Sequence, residues 1–294
     1  MLRQHINIIV MPRKKILLDN TLSQELFIRY TKDNMSLTKL SETYKIPPTV
    51  IKRTLKEQGT TLRTHRQSKI KYTFNHNFFE IIDTEYKAYF LGFMLADGHV
   101  GEKEVIIAIK DIDRHIIEKF VKCIEGNNKI CTPSTKSNFV KTETKCARIN
   151  LRSDKMISDL NKLGLTRNKT YNTIVPSVPT HLERHFWRGV FDGDGYVSVY
   201  KTKQRQYTYT ILETGLCGHI NTMTAYREFL ISNNIKVSKI SPDKSIFQLR
   251  VCGANNALKQ YDLLYTGIDP ELCLKRKREK FELYKEYKEV KNKP

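Results

Sequence analysis

Two aspartates occupy equivalent places in a repeated sequence and are the residues best suited to do chemistry. Residues 88–100 read AYFLGFMLADGHV and residues 185–197 read HFWRGVFDGDGYV, so Asp97 aligns with Asp194, 97 positions later. Two carboxylates forced together repel each other, and the pKa of one rises strongly unless a cation compensates the charge. Oxygen ligands completed by water and phosphate suit Mg²⁺ better than zinc. The repeat therefore predicts a shared divalent-metal site.

Small residues in the helix before each aspartate predict how the two copies meet. Glycine inside a helix costs about 1 kcal/mol relative to alanine, so Gly92 and Gly189 need a compensating role. The small-residue stripes recur at i, i+4 and i+8: Ala88, Gly92 and Ala96 in one copy, His185, Gly189 and Gly193 in the other. If these stripes pack about a pseudo-twofold axis, the ends of both helices bring the two acids to one place.

Each copy continues with the same order of elements. A helix ending at Asp-Gly is followed by strand-like sequence, a second helix, another strand and a closing helix. The strand-like stretches are 105–109 and 147–151 in the first copy, and 196–200, 207–212 and 247–252 in the second. This alternation predicts an α+β fold rather than a doubly wound parallel sheet.

A small basic module is predicted ahead of the repeat. Helices are expected over 22–30, 37–44 and 48–58, with a tight turn at Lys45-Ile46-Pro47 because the residue before a proline leaves the α region. Basic and polar residues form the outer face of the third helix: Thr49, Lys52, Arg53 and Lys56. The arrangement indicates a helix-turn-helix that places a recognition helix in the major groove. The alternative is a helical hairpin with a solvated charged face.

The charge balance points to a polyanionic partner. The chain has 51 Lys and Arg against 31 Asp and Glu, a net charge of +20, and nucleic acid would relieve the resulting self-repulsion. Residues 36–72 hold nine basic residues and two acids, and Arg63 and Arg66 are expected to lie along phosphates in a basic linker. Because no apolar run approaches the roughly 20 residues of a spanning helix, no membrane is expected. The expected setting is the cytoplasm, near the nucleoid of a bacterial or phage-infected cell, with an organelle left open.

The two motif helices resemble a known family. The tracts FLGFMLADG at 90–98 and WRGVFDGDG at 187–195 are similar to the two copies of the motif in single-chain LAGLIDADG homing endonucleases. The resemblance implies two pseudo-symmetric αββαββα units whose sheets form a saddle over double-stranded DNA, preceded by an all-α helix-turn-helix module. It also implies a site-specific double-strand endonuclease that hydrolyses both strands of a long asymmetric target across the minor groove. The alternatives are an intron RNA maturase, with intron RNA as partner, and a non-cleaving DNA-binding regulator.

The same resemblance assigns the metal site. Asp97 and Asp194 fall on the motif's catalytic acidic position and would hold Mg²⁺ or Mn²⁺, helped by the backbone carbonyls of Ala96 and Gly193. Because two copies are fused in one chain, a monomer is sufficient.

Basic residues near each acid are implied as catalytic assistants. Lys169 and Lys277 each follow the last helix of their copy, and Lys110 follows a strand at a position that is polar in the family. His219 is the rough counterpart of Lys110, although a structural role is favoured for it. For each lysine the alternative is a phosphate-contacting or solvated side chain.

The remaining predictions concern DNA contacts and boundaries. Groove-facing candidates on or near strands are Lys136, Lys141, Arg152, Lys201, Lys203 and Arg205. The basic C-terminal stretch 275–294 is expected to dock through its aromatic side and to contact phosphates through residues 275–280. The expected domains are an N-terminal extension (1–20), the helix-turn-helix module (21–60), a basic linker (61–83), the first repeat (84–180), the second repeat (181–278) and a basic C-terminal helix or tail (279–294).

Overall fold

The computed structural model describes residues 18–33, 35–63, 72–136, 143–167 and 173–291, with backbone alone at positions 135, 136, 143, 144 and 204. The chain divides into two compact units, Met1–Lys71 and Tyr72–Pro294. In its described residues, the second unit contains both motif helices and both sheets.

The first unit contains three helices around a small apolar core. They are α1 (Asn20–Thr31), α2 (Leu37–Tyr44) and α3 (Pro48–Glu57). Lys45 ends α2 in the left-handed region with φ of 53°, which starts the tight turn into α3. The core is formed by apolar residues from all three helices: Leu26, Tyr30, Leu40, Ile51 and Leu55. Amphipathic burial of this kind explains why such short helices are stable here.

The second unit consists of two copies of one topology, followed by an additional helix. The first copy runs α4 (Glu85–Ala96), β1 (Gly98–Val100), β2 (Val105–Lys110), α5 (His115–Cys123), β3 (Ser134–Lys136), β4 (Glu143–Leu151) and α6 (Asp154–Lys162). The second copy runs α7 (Glu183–Asp194), β5 (Gly195–Gln204), β6 (Tyr207–Gly218), α8 (Ile220–Ser232), β7 (Ser241–Asp243), β8 (Ile246–Arg250) and α9 (Gly253–Tyr265). The predicted α+β fold with two αββαββα copies is confirmed.

Both copies form a four-stranded antiparallel sheet with the same strand order. The orders are β1-β2-β4-β3 and β5-β6-β8-β7. Side chains alternate between the two faces of each strand. In the first sheet Ile107 and Ile149 are buried, and in the second sheet Val197 and Leu249 are buried. The opposite face of each sheet, called the open face below, carries mostly polar side chains.

The C-terminal helix α10 (Lys275–Lys291) packs on the second copy. Its Phe281 and Tyr284 are buried, and the Phe281 ring lies 5.4 Å from that of Tyr261. The aromatic side therefore docks as predicted. Since α10 begins at Lys275, the predicted domain boundary at 279 falls inside a helix.

The basic side of α10 differs from the prediction of phosphate contacts. Arg276 Nε donates to Asp113 Oδ2 at 2.9 Å, and Arg278 Nε donates to Glu282 Oε1 at 2.7 Å. Lys280 Nζ donates to the Val197 carbonyl at 2.8 Å. Arg276 and Lys280 therefore fasten the helix to the repeats, whereas the Arg278 bond lies within α10 itself. Among the described residues, no helix combines the length and apolar character that crossing a membrane would need.

Candidate functional site

The two motif helices, α4 and α7, contact each other through their glycines. A Cβ atom added at Gly92 would overlap the carbonyl oxygen of Phe186 and lie 3.0 Å from the Val190 nitrogen. A Cβ atom added at Gly189 would overlap the carbonyl oxygen of Tyr89. Gly92 faces the backbone of Phe186, which lies three residues before Gly189. Gly189 in turn faces the backbone of Tyr89, three residues before Gly92, as a pseudo-twofold axis requires. The backbone contact compensates the helix-propensity cost of both glycines.

The carboxyl ends of these helices bring the two motif acids to the same place. Asp97 caps α4, with its N–H donating to the Phe93 carbonyl at 2.9 Å, and Asp194 is the last residue of α7. Both side chains are exposed. A Cβ atom at Gly193 would overlap the Cβ of Ala96 and lie 3.3 Å from Asp97 Oδ2. The glycine at position 193 therefore permits the close approach of the helix ends.

Lys277 lies behind this site as a buried cap of α7. Its ammonium donates to the carbonyls of Phe191 at 2.8 Å, Asp192 at 2.6 Å and Gly193 at 3.2 Å. Only 4% of the residue is exposed. A buried ammonium bound to three carbonyls is neither solvated nor on a phosphate, which corrects that alternative for Lys277. The Gly193 carbonyl, implied as a metal ligand, already accepts this bond, and only its second lone pair remains for a cation.

Opposing effects act on the pKa of Lys277. Burial lowers the pKa of its ammonium from 10.5 to about 8, while the Asp192 carboxylate and, more weakly, Asp97 and Asp194 oppose that shift. A lysine at this place offsets the partial negative charge that a helix accumulates at its C-terminus.

A cavity lies beside Asp194. Its volume is about 400 Å³, and its polar lining includes Thr173, Thr222, Ser245 and His219. His219 caps α8, because its Nδ1 accepts a hydrogen bond from the Asn221 N–H at 3.2 Å. That bond places the proton of the neutral ring on Nε2. His219 thus has the structural role that the sequence favoured and also borders the acid.

The other two lysines are not joined to this cluster by any described contact. Lys110 is exposed at the end of β2, opposite Cys146 of β4. Lys169 lies outside the described residues. The Ala96 carbonyl belongs to the last turn of α4, next to Asp97.

The predicted recognition helix presents its basic side chains as expected from their spacing. Thr49, Lys52 and Lys56 are exposed on α3, while Arg53 Nε lies 3.7 Å from Glu57 Oε1.

Arg63 does not extend along a linker. Its guanidinium lies 4.1 Å from the centre of the Tyr30 ring and donates to the carbonyls of Tyr30 and Met35, and its N–H donates to the Tyr30 hydroxyl at 2.8 Å. Arg63 therefore fastens the end of the module to α1, which corrects its assignment to phosphate binding. Arg66 lies outside the described residues.

The strand candidates are distributed differently from the prediction. Lys201 and Lys203 have the same parity along β5 as the core residue Val197, and Lys201 lies near Tyr287 of α10. Both lysines are exposed, and they lie on the side of β5 opposite the open face. Arg205 is exposed in the β5–β6 turn with φ of 55°. Arg152 is exposed after β4, the backbone of Lys136 pairs with that of Glu143, and Lys141 lies outside the described residues.

A buried polar network between the motif helices was missed from the sequence. The Asp192 carboxylate accepts hydrogen bonds from the Tyr89 hydroxyl at 2.8 Å, the Tyr265 hydroxyl at 2.6 Å and the Leu274 N–H at 2.9 Å. Burial raises the pKa of Asp192. Nearby, the buried Arg188 donates to the Leu272 carbonyl at 3.1 Å. Charged residues in an otherwise apolar motif helix were the available signal.

The donor set beside the two acids consists of oxygen atoms, which suit a hard divalent cation. Among the described residues, no three His, Cys, Asp or Glu side chains cluster as a metal-binding group. Two exposed carboxylates at two helix C-termini nevertheless form a region of concentrated negative charge. Such a site fits a hard cation that takes its remaining ligands from water and phosphate, as Mg²⁺ does.

The paired helices, the acids at their ends and the two antiparallel sheets define a two-repeat α+β protein. Residues 181–264 match the family model described as a LAGLIDADG-like domain. This stretch extends from the turn before α7 into α9, so the match covers most of the second repeat. No curated protein sequence matches the chain.

Solved LAGLIDADG proteins are similar to this chain at low identity. The meganuclease I-AabMI bound to uncleaved DNA is 12% identical with a TM-score of 0.46, over 70% of this chain and 92% of its own. The homing endonuclease I-WcaI bound to its DNA recognition sequence is 15% identical with a TM-score of 0.45, over 67% and 87%. I-SmaMI bound to uncleaved DNA in the presence of calcium ions is 13% identical with a TM-score of 0.43, over 65% and 87%.

Proposed function

We propose that this protein is a site-specific, double-strand DNA endonuclease of the LAGLIDADG homing-endonuclease type. The observation that carries the proposal is the glycine-to-backbone contact of α4 and α7, which brings Asp97 and Asp194 to adjacent helix ends. Two acids related by a pseudo-twofold axis match the two antiparallel strands of a duplex, each of which needs one cut.

In this proposal, Asp97 and Asp194 hold divalent cations, Mg²⁺ or Mn²⁺, with help from the Ala96 carbonyl. A bound cation of this kind supplies Lewis acidity and a hydroxide at neutral pH. The chain itself fixes the spacing of the acids through the glycine contact. Lys277 keeps the end of α7 in place by binding its last carbonyls, so it acts as a positioning residue.

The two repeats differ in the polar groups beside each acid. On the side of Asp194, the Nε2–H of His219 is available as a donor toward the cavity. On the side of the first repeat, Lys110, which is exposed, and Lys169, which lies outside the described residues, are the remaining candidates for screening a phosphate.

DNA binding is proposed to involve both units. The exposed Thr49, Lys52 and Lys56 of α3 fit a recognition helix, and the turn at Lys45 gives the helix-turn-helix order. The excess of positive charge predicts that binding weakens steeply as salt rises, because each phosphate contact releases counterions.

The proposal is tested with a randomised duplex library incubated with the full chain and Mg²⁺. Sequences carrying a double-strand break are recovered and define the target. We expect a single long target and no breaks when the metal is chelated. Specific binding without any break would replace the nuclease by a DNA-binding regulator, and preferential binding of a structured intron RNA would favour a maturase.

A matched substitution isolates the motif acid. Asp83 lies just before the opposite end of α4 and pairs with Lys87 at 2.8 Å. The 12-residue helix separates it from Asp97 by about 18 Å. Asp83→Asn should retain cleavage, whereas Asp97→Asn should remove it, although each change deletes one negative charge next to an end of α4.

A further inference from the structure

A polar network covers the open face of the second sheet. Glu213 Oε1 accepts from the Tyr196 hydroxyl at 3.4 Å and lies 3.7 Å from Arg250 Nη1. Arg250 Nε donates to Gln248 Oε1 at 3.1 Å, and Gln248 Nε2 donates to the Tyr196 hydroxyl at 3.2 Å. The four side chains form a closed ring of hydrogen bonds and one ion pair around the acid.

The first sheet carries a related network. Arg148 Nε donates to Asn150 Oδ1 at 2.8 Å, and Asn150 Nδ2 donates to Glu104 Oε2 at 3.1 Å. Arg148 and Asn150 alternate with the buried Ile149 along β4, so they lie on the open face. Here the acid accepts directly from the amide, and the amide accepts from the arginine, whereas in the second sheet Tyr196 lies between Glu213 and the Gln248 amide.

Strand register shows that the two networks occupy equivalent positions. In the first sheet His99 pairs with Ile106, which pairs with Asn150. In the second sheet the corresponding row is Tyr196, Gly215 and Arg250. Glu104 and Glu213 each lie two residues before the middle member of the row. Asn150 therefore corresponds to Arg250, and Arg148 corresponds to Gln248.

The arginine and the amide are thus transposed between the repeats. We propose that these pairs are base readers in the duplex, with Arg148 and Arg250 each recognising a guanine and Asn150 and Gln248 each recognising an adenine. The order of the two bases is then opposite in the two half-sites. This inference rests on the proposed function, because it assigns sequence specificity to the DNA that the nuclease cuts.

The chemistry of each side chain fits this assignment. Arginine reads guanine through two donors, and asparagine or glutamine reads adenine through one donor and one acceptor. An amide has two N–H groups and two lone pairs on its oxygen. The described bonds of Asn150 use one of each, so one donor and one acceptor remain for an adenine edge. Gln248 also hydrogen-bonds Cys217, whose sulfur is a weak acceptor, and an adenine edge would replace that bond.

The acids fix the readers before DNA arrives. Burial, reinforced by Glu213, raises the pKa of Tyr196 to about 12, so its hydroxyl keeps the proton that it donates. A Cβ atom at Gly215 would lie 2.8 Å from the Tyr196 hydroxyl oxygen, so only glycine leaves room for this ring. Side chains held in place by such supporting bonds lose less entropy on binding.

The readers lie close to the predicted cuts. Tyr196 follows Asp194 by two residues, and Arg250 lies two strand spacings across the sheet, about 10 Å away. They therefore face base pairs near the scissile phosphates rather than the ends of the target.

The experiment exchanges the readers of one repeat. Binding preferences of the full chain are measured by selection from a randomised duplex library in Ca²⁺, for the wild type and for the double variant Gln248→Arg with Arg250→Gln. We expect the guanine and adenine preferences of one half-site to change places, with each original base losing about tenfold to a hundredfold. Unchanged preferences in a variant that still binds would overturn the inference.

Two single variants keep the test decisive if the double variant unfolds. The Arg250 side chain is 57% exposed, so Arg250→Ala should fold and should lose one guanine preference only. Glu213→Gln should weaken preferences at both positions of that half-site without creating new ones. Retention of the guanine preference in Arg250→Ala would refute the assignment.

A charge control and the wild type distinguish failure of the reader assignment from failure of the proposed function. Lys122 is exposed on α5, so Lys122→Ala removes one positive charge at a site away from the open face. This variant should leave every base preference unchanged. If the wild type selects no sequence at all, the proposed function fails. If the wild type selects and cuts a target but the reader variants keep its preferences, only the reader assignment fails.

Discussion

Substituting Gly92 by alanine tests the geometry on which the site depends. The added methyl group would overlap the Phe186 carbonyl oxygen and lie 2.9 Å from its carbon and 3.0 Å from the Val190 nitrogen. These are backbone atoms of α7, so no rotamer change relieves the overlap and the helices must move apart. Overpacking of this kind costs about 1–3 kcal/mol or more. The higher helix propensity of alanine offsets about 1 kcal/mol of this cost.

The net loss in the free energy of unfolding should be about 2 kcal/mol. For a unit of this size, that lowers Tm by about 4–8 °C. Separating the helices also displaces Asp97 from Asp194, and a misplacement of about 1 Å typically reduces rates by about a hundredfold. Thermal unfolding and single-turnover cleavage of the recovered target measure the two effects.

The pseudo-symmetric partner provides an internal check. Gly189→Ala should give a similar loss, and the double variant should lose less than the sum, because the first methyl group already separates the helices. Gly101→Ala, in the β1–β2 turn, is the control, since its Cβ would lie 3.2 Å from the Glu104 carbonyl oxygen, which needs only a small adjustment. Unchanged Tm and cleavage in Gly92→Ala would refute the claim that glycine contact sets the site.

Three further predictions follow from individual side chains. The pKa of Lys277 is about 8 in the folded state against 10.5 as its ordinary value, so the folded state binds fewer protons between these pH values and the penalty for burying the charge is relieved as pH rises. Metal-free unfolding should therefore show the wild type gaining up to about 3 kcal/mol relative to Lys277→Met over that range, and parallel pH profiles would contradict it. Arg63→Ala should destabilise the three-helix unit by about 1–2 kcal/mol in denaturant unfolding without changing the salt slope of DNA binding. Lys52→Ala should instead weaken binding to all sequences alike and reduce that slope by about one, as measured by salt titration, with an unchanged slope as the contrary result.

Some of the site could be predicted because local sequence determines it. The glycine stripe and the Asp-Gly ends recur in both copies, and a helix pair that meets through Gly92 and Gly189 is the packing that these stripes favour. The alternation of apolar and polar residues likewise identified most strands. These features depend on periodicity, which a sequence displays directly.

The partners of basic side chains could not be predicted in the same way. Lys277 and Arg63 were assigned to catalysis and phosphates from their charge and position in the chain, yet both bind carbonyls of the protein. Their partners lie more than 25 residues away, and only the tertiary fold brings them together.

Strand parity explains another difference. Lys201 and Lys203 were chosen for their charge, although their spacing from Val197 already placed them on the side of β5 opposite the open face. The polar residues of the opposite parity, including Gln248 and Arg250, lie on the open face. Counting parity from a buried residue would have identified the open face.

The central claim is that one acid from each repeat is needed to break one duplex. The most direct measurement compares wild type, Asp97→Asn and Asp194→Asn on the recovered target in Mg²⁺, with binding measured in parallel in Ca²⁺. We expect all three proteins to bind the target and only the wild type to break both strands. Double-strand breaks by either single variant at the wild-type rate would contradict it.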